Sequence, residues 1–285
     1  MLFSIEPHER NAFELVGRCA RAIDVPAYVV GGYVRDRLLG RPTKDIDIVC
    51  VGDGIRLAET LASRLYPKPK IVVYRRFGTA MLRHDGIEIE FVGARRESYR
   101  DDSRKPDVEE GSLEDDQNRR DFTINGLAYS VTQKKLADYC GGADDLQNKI
   151  LRTIGDPMQR FTEDGLRPIR GCRIAAKLGF EIEPATLTAM RHCLPITQKV
   201  APERFYDEWR KTLRMKNRRS YWHHLLEAHI LPAFLPHIAE AFVGEGRDQF
   251  LREIDHLHLR TIADYAASVF YLLQIDDRQK IEATL

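Results

Sequence analysis

The sequence predicts an α+β architecture, a mixed sheet with helices in front and an all-helical rear. Three observations carry this. Between residues 27 and 92, short runs alternate apolar with polar residues. Beyond residue 151 the apolar residues recur at helical spacing instead. The 285 residues, 43% of them hydrophobic, suffice for about two domains of roughly 150 residues.

In order along the chain, residues 7–23 read as an amphipathic helix with Phe13, Val16, Ala20 and Ile23 on one stripe. Residues 27–30 form a short apolar strand ending in Gly31-Gly32. Residues 33–39 read as a helix stopped by Gly40 and Pro42. In 44–51, Asp45, Asp47 and Val49 face one way and Ile46, Ile48 and Cys50 the other, which is a strand pattern. Residues 55–66 are helical. Residues 71–74, 79–83 and 87–92 read as strands, with Glu88 and Glu90 on one face of the last. Residues 98–117 are polar, lack apolar periodicity and read as loop. A last strand is expected at 136–139, closed by Gly141-Gly142. Residues 166–178, 184–194, 202–215 and 221–228 read as helices, and Pro168 should kink or restart the first of them. The division falls near residue 152.

Composition excludes several classes. No run of about 18 apolar residues exists, so no membrane-spanning helix is expected. The first ten residues carry Glu6, Glu9 and Arg10, unlike a signal peptide. Five widely spaced cysteines without a C-x-x-C pair suggest neither a disulfide framework nor a zinc knuckle, and a reduced cytoplasmic setting follows. Net charge is +1 but unevenly spread: residues 204–219 hold seven Lys/Arg against two Asp/Glu. Such a cluster can track a phosphate backbone, though a solvated helix face would look the same. His223, His224 and His229 lack a carboxylate trio and read as packing or surface residues.

The chemistry concentrates at Asp45-Ile46-Asp47. Carboxylates at i and i+2 on a strand project from one face and repel each other unless a cation lies between them. Few, convergent oxygen ligands suit Mg²⁺, which keeps water and takes phosphate oxygens. A solvated sheet edge would show the same spacing. Upstream, Gly31-Gly32 at a strand end lets backbone N–H groups approach an anion, just before the helix that carries Arg35. The pair does not fit G-x-G-x-x-G, so a dinucleotide-binding module is poorly supported.

A glycine pair, an arginine and then D-x-D about a dozen residues later resembles the nucleotidyltransferase superfamily typified by DNA polymerase beta. The stretch from Gly31 through Arg41 to Asp45-Ile46-Asp47 is similar to the first motif of the class II tRNA nucleotidyltransferase and bacterial poly(A) polymerase family. Four further segments agree in order: Arg119 to Asn125, Asp138 through Gly142 to Leu146, Glu163 to Arg167, and Pro202 to Trp209. The resemblance covers residues 28–211. It implies a polymerase beta-like head over 1–152, a helical neck over 153–215 and a partial helical body over 216–285.

The resemblance also implies roles. Asp45 and Asp47 would hold two Mg²⁺ ions, with Glu90 favoured over Glu88 as the third catalytic carboxylate. Gly31, Gly32, Arg35, Arg119, Arg120, Asp121 and Asn125 would meet the triphosphate and ribose. Asp164 and Arg167, three apart and expected on one helix face, would read the base edge, and Arg170 would add a stacking or phosphate contact. Arg204, Arg210, Lys211, Arg214 and Arg218 would meet RNA. The segment 138–146, with two glycines, would move. The expected reaction is addition of CMP and AMP, from CTP and ATP, to the 3′ end of tRNA. Poly(A) addition, CC or A addition alone, and a non-catalytic RNA-binding protein are the alternatives. Family members usually extend well past 285 residues, so a shortened body is expected.

Overall fold

The computed structural model describes residues 5–43, 45–98, 107–242, 246–257, 259–273, 275 and 279. The chain divides into two compact units, Met1–Asn148 and Lys149–Leu285.

The first unit runs α1 (Pro7–Ala22), β1 (Ala27–Val30), α2 (Gly32–Leu38), β2 (Asp45–Cys50), α3 (Gly54–Ala62), β3 (Ile71–Tyr74), β4 (Thr79–His84), β5 (Ile87–Gly93), β6 (Arg95–Ser98), β7 (Asp107–Glu110), α4 (Leu113–Asn118), β8 (Ala128–Ser130), β9 (Leu136–Ala137) and α5 (Gly142–Asn148). Among the described residues its main sheet has seven strands in the order β3-β4-β5-β2-β1-β8-β9. The β2–β5 pair is parallel and its neighbours are antiparallel, so the sheet is mixed as expected. The alternation in β2 holds where it matters, with Asp45 and Asp47 exposed and Ile46 and Ile48 buried. The stripe on α1 buries Phe13, Val16 and Ala20, and the Phe13 ring meets Tyr33 edge-on at 5.5 Å.

The expected loop over 98–117 is corrected. Strands β6 and β7 pair as an antiparallel ribbon, and α4 follows. Residues 99–106 lie outside the described residues. A local signal made α4 despite the polar composition: Asp115 N–H donates to Ser112 Oγ at 3.1 Å, and Ser112 N–H donates to the Asp115 carboxylate at 2.8 Å. This capping box satisfies donors that a helix start leaves open. Leu113 then packs against Val30, Val49, Ala94 and Ala128, which ties α4 to the sheet.

The second unit runs β10 (Ile150–Leu151), α6 (Pro157–Glu163), α7 (Leu166–Leu178), β11 (Glu181–Ile182), α8 (Pro184–His192), α9 (Leu194–Thr197), α10 (Pro202–Arg210) and α11 (Arg218–Glu227), followed among the described residues by four more helices. A two-stranded parallel pair, β10 with β11, is the one departure from an all-helical rear among the described residues. The kink expected at Pro168 does not occur. Pro168 is the third residue of α7, inside the first turn, where its missing N–H has no intrahelical acceptor to lose. Trp209, Trp222 and Tyr265 build the aromatic core, with Trp222 Nε1 donating to the Tyr265 hydroxyl at 3.0 Å. No helix among the described residues is long and apolar enough to cross a membrane.

Beside this core lies a buried acid. Glu208 is 2% exposed and bonds Arg173 and Lys211. Burial pushes its carboxyl up, but Arg173, Lys211 and Arg170 outweigh that and hold it below the usual value. A depressed carboxylate contributes stability above its unfolded pKa, about 4.3. That contribution is lost as pH falls through the lower folded value. Glu208→Gln is therefore expected to lower the melting temperature at pH 7, and the gap to the parent should narrow as pH falls below about 4. Melting curves between pH 7 and 3 check this; a gap that stays constant would remove Glu208 from the acid transition.

Candidate active site

Parallel register places Asp45 beside Glu88 and Asp47 beside Glu90. Both pairs rise from one face because residues two apart on a strand share a face. Burial pushes the Asp47 carboxyl above its usual value, Asp45 adds to the rise, and Arg120 opposes it. Solvent still reaches this side chain. Glu90 is likewise raised, by desolvation first and then by Asp47 and Glu88. Glu88 is engaged elsewhere, in an ion pair with its cross-strand partner Arg83. Among the described residues no group of three or more His, Cys, Asp or Glu is arranged to hold a metal ion, so Asp45, Asp47 and Glu90 are not a ready-made cage. The donor set still fits Mg²⁺: hard oxygens on one face, with like-charge repulsion that a cation would relieve.

A second group surrounds the glycine turn. Gly31 has φ 67°, a conformation that disfavours side chains, and a Cβ there would lie 3.0 Å from Arg120 Nη1. Gly32 begins α2 and would meet Arg35 Nη2 at an ordinary 3.5 Å. Since α2 has only seven residues, positive charge here comes mainly from side chains. Arg120 is near both the turn and Asp47. It is held by Asp116, whose one carboxylate, fully buried, takes Arg119 at 2.6 Å and Arg120 at 2.9 Å. Arg35 donates from Nε to Asp36 at 2.7 Å and from Nη1 to Asn125 Oδ1 at 2.6 Å; Asn125 Nδ2 donates to Asp121 Oδ1 at 2.9 Å. Arg35, Asn125 and Asp121 thus form one chain of hydrogen bonds.

The segment 138–146 is hydrogen-bonded to itself and to Thr123. The Asp138 carboxylate accepts from the N–H groups of Cys140, Gly142 and Ala143 at 3.1, 3.0 and 2.9 Å. Asp145 is buried and accepts from Thr123 Oγ1 at 2.7 Å. A Cβ on Gly142 would stand 2.2 Å from the Thr123 carbonyl oxygen.

In the second unit, Asp164 and Arg167 do not share a helix face. Asp164 is extended (φ −146°, ψ 106°) between α6 and α7, and its Oδ1 accepts from Leu166 N–H at 3.0 Å. Arg167, in the first turn of α7, donates to Glu163 at 2.7 Å and to the Arg160 carbonyl at 2.9 Å. Asp164 instead faces Arg204 at 3.5 Å, which joins two of the motif segments. Arg170 is half-buried near Glu208. Arg210 and Arg214 are exposed, with Arg210 on Asp207 at 2.9 Å and Lys211 on Glu208 at 2.6 Å. Arg218 overturns its expected role as an RNA contact. It is buried, and its guanidinium donates to the carbonyls of Ile254, Leu213, Asp255 and Leu257 at 2.8, 3.0, 3.1 and 2.7 Å.

Comparison with known proteins bears on these two units. Residues 27–152 match the family described as Poly A polymerase head domain, and 179–242 the one described as Probable RNA and SrmB-binding site of polymerase A. The chain is 36% identical over 244 residues to a CCA-adding enzyme of Streptococcus gordonii, covering 82% of this chain and 57% of that one. This chain belongs to the class II tRNA nucleotidyltransferase and bacterial poly(A) polymerase family. Poly(A) polymerase I of Salmonella typhimurium, within the same family, is 32% identical over 244 residues, covering 83% and 52% of the two chains. A solved tRNA nucleotidyltransferase complexed with a primer tRNA and an incoming ATP analog superposes with TM-score 0.73 at 28% identity, over 95% of this chain and 79% of that one. The chain spans about half the length of the curated relatives it matches.

Membership in the nucleotidyltransferase family leaves two residues that sequence reasoning missed. Asp116 organises both arginines of the Arg119-Arg120 pair, and Glu208 organises Arg173 and Lys211. The signal for Asp116 was its spacing of three and four residues from the arginines, which on a helix brings them together.

Proposed function

We propose that this chain is a template-independent RNA nucleotidyltransferase that adds CMP and AMP, from CTP and ATP, to the 3′ end of tRNA. The observation that carries the proposal is the Asp45/Asp47 pair beside Glu90, with the Arg120 guanidinium lying between the Gly31 turn and Asp47's field. A cytoplasmic, reducing setting fits its five free cysteines. In the reaction the RNA 3′-oxygen bonds to the nucleotide α-phosphorus, and pyrophosphate leaves. Bound Mg²⁺ would acidify the 3′-hydroxyl and neutralise charge on the triphosphate. Asp45 and Asp47 would hold the metals, and Glu90 adds negative charge beside Asp47. Arg119 and Arg120, aimed by Asp116, take triphosphate oxygens. Arg35, Asn125 and Asp121 orient the ribose, with the Asp121 carboxylate able to accept a 2′-hydroxyl proton. Arg170 adds a phosphate contact, and Arg204, Arg210, Lys211 and Arg214 meet the RNA backbone. Intact Asp45 and Asp47 favour this over a non-catalytic RNA-binding protein.

The deciding experiment supplies CTP and ATP separately to tRNAs lacking three, two or one of their terminal nucleotides. Ordered C, C and A addition supports the proposal. Repeated A addition favours the poly(A) reading, which the Salmonella relative keeps open. CC or A addition alone identifies a partial enzyme, and no incorporation with Mg²⁺ present overturns the enzymatic reading.

Asp164 and Arg167 are the proposed base readers. Together they offer a carboxylate and a guanidinium, and Arg167 is held by Glu163 rather than free to swing. Arg167→Ala is expected to relax selection against UTP and GTP at least about tenfold, more than it slows CMP transfer, since the metal ligands stay in place. Single-turnover assays with all four nucleotides check this; full discrimination in the variant would assign base choice to another group.

A further inference from the structure

A second basic stretch lies outside the 204–219 cluster. Residues 60–84 hold six Lys/Arg and no Asp/Glu. They include β3, an edge of the main sheet, and the turn into β4. Among the described residues, none of Lys68, Lys70, Arg75 and Arg76 has a carboxylate within 4.0 Å. Three large exposed rings stand among them: Tyr66 at 95%, Phe77 at 63% and Tyr74 at 47% exposure. Arg76 lies against Phe77, its guanidinium carbon 5.9 Å from the ring centroid.

Each ingredient has a bland explanation alone. Lysines and prolines blunt a sheet edge against pairing with another strand, and Pro67, Lys68, Pro69 and Lys70 stand immediately before β3. That explanation covers neither the exposed rings nor the two unpaired arginines of the turn. Their combination fits unpaired nucleic acid, whose bases stack on aromatic faces while phosphates meet cations. The blunted edge argues against a partner protein adding a strand here.

The location favours RNA as the occupant. Thr79, which follows the turn, pairs with Val92, two residues along β5 from Glu90 and on the same face. That spacing is about 7 Å of strand rise. We propose that the β3–β4 turn is a stacking platform for single-stranded RNA, with Phe77 receiving a base and Arg75 and Arg76 its flanking phosphates. The inference rests on the nucleotidyltransferase reading, since it is RNA near the carboxylates that would cross this turn.

The test uses the full chain with an unstructured 20-nucleotide RNA, titrated at several salt concentrations, and CTP binding measured alongside. Phe77→Ala is expected to weaken RNA binding about tenfold or more, while Phe77→Trp keeps it. The added tryptophan should also lose fluorescence on RNA binding, distinct from Trp209 and Trp222, which are buried. Arg75→Ala with Arg76→Ala should reduce the salt slope by roughly 0.7 per arginine. CTP binding and melting temperature should stay at parent values in all three. Parent-like RNA affinity and slope in Phe77→Ala and in the double variant would overturn the platform and leave the nucleotidyltransferase reading standing. A parent chain that transfers no nucleotide and binds no RNA would overturn both. Parent-like RNA binding with an altered sedimentation coefficient would assign the patch to protein association instead.

Discussion

Asp45→Ala and Asp47→Ala are each expected to reduce nucleotide transfer by more than about a hundredfold, the scale on which loss of one electrostatic stabiliser registers. The same variants should melt at or slightly above the parent temperature without metal. Both side chains are exposed, so little packing is lost. Asp47 also has a raised carboxyl, meaning that its ionised form opposes folding near neutral pH. Inactivation without destabilisation separates a ligand role from a structural one. Glu90→Gln should also be severe and Glu88→Gln mild, because Glu88 already pairs with Arg83. Turnover and thermal melting, measured on one preparation of each variant, decide the matter. Activity within about tenfold of the parent, against the hundredfold expected, would remove the pair from the reaction.

The second large effect is on stability. Arg218→Ala strips donors from four carbonyls, and a buried carbonyl without a donor costs on the order of 1–3 kcal/mol. With water reaching some of them, the loss should still be at least about 3 kcal/mol. Arg218→Lys should recover only part, because one ammonium cannot span four acceptors arranged for a planar fork. Arg214→Glu with Arg210→Glu, both exposed, should leave melting almost unchanged while weakening tRNA binding and flattening its salt dependence. Denaturant titration and salt-dependent tRNA binding separate the two groups. Parent-like stability in Arg218→Ala would mean that its carbonyl partners find other donors.

Sequence periodicity read the head well because its strands are buried on one face, so alternation and register are the same information. The shared face of Asp45 and Asp47 was legible for that reason, whereas alternation put Glu88 and Glu90 on one face alike and only the family resemblance favoured Glu90. Charge counting failed at Arg218, since a count along the chain does not see which guanidiniums fold inward. It also passed over residues 60–84, where the cations are spread between apolar strand residues rather than clustered on a helix. Spacing failed at Asp164 and Arg167, because i, i+3 implies a shared face only inside a helix, and α7 begins after Asp164. The loop expected at 98–117 hid α4, whose start depends on a two-residue cap and not on apolar repetition.

The pairing of β2 with β5 has a consequence for how this chain tolerates insertions and deletions. On β5, Ile87, Ile89 and Phe91 are buried, while Glu88, Glu90 and Val92 take the other face. Deleting one residue inside β5 would turn that ladder over, sending carboxylates into the core and isoleucines to water. The hairpin tip at Asp85-Gly86, where both residues have positive φ, can absorb length changes without moving the ladder. A frame-preserving library across residues 79–93 should therefore yield survivors with altered tips and almost none with altered strand length. In the latter, loss of folding and loss of chemistry would arrive together, as one event.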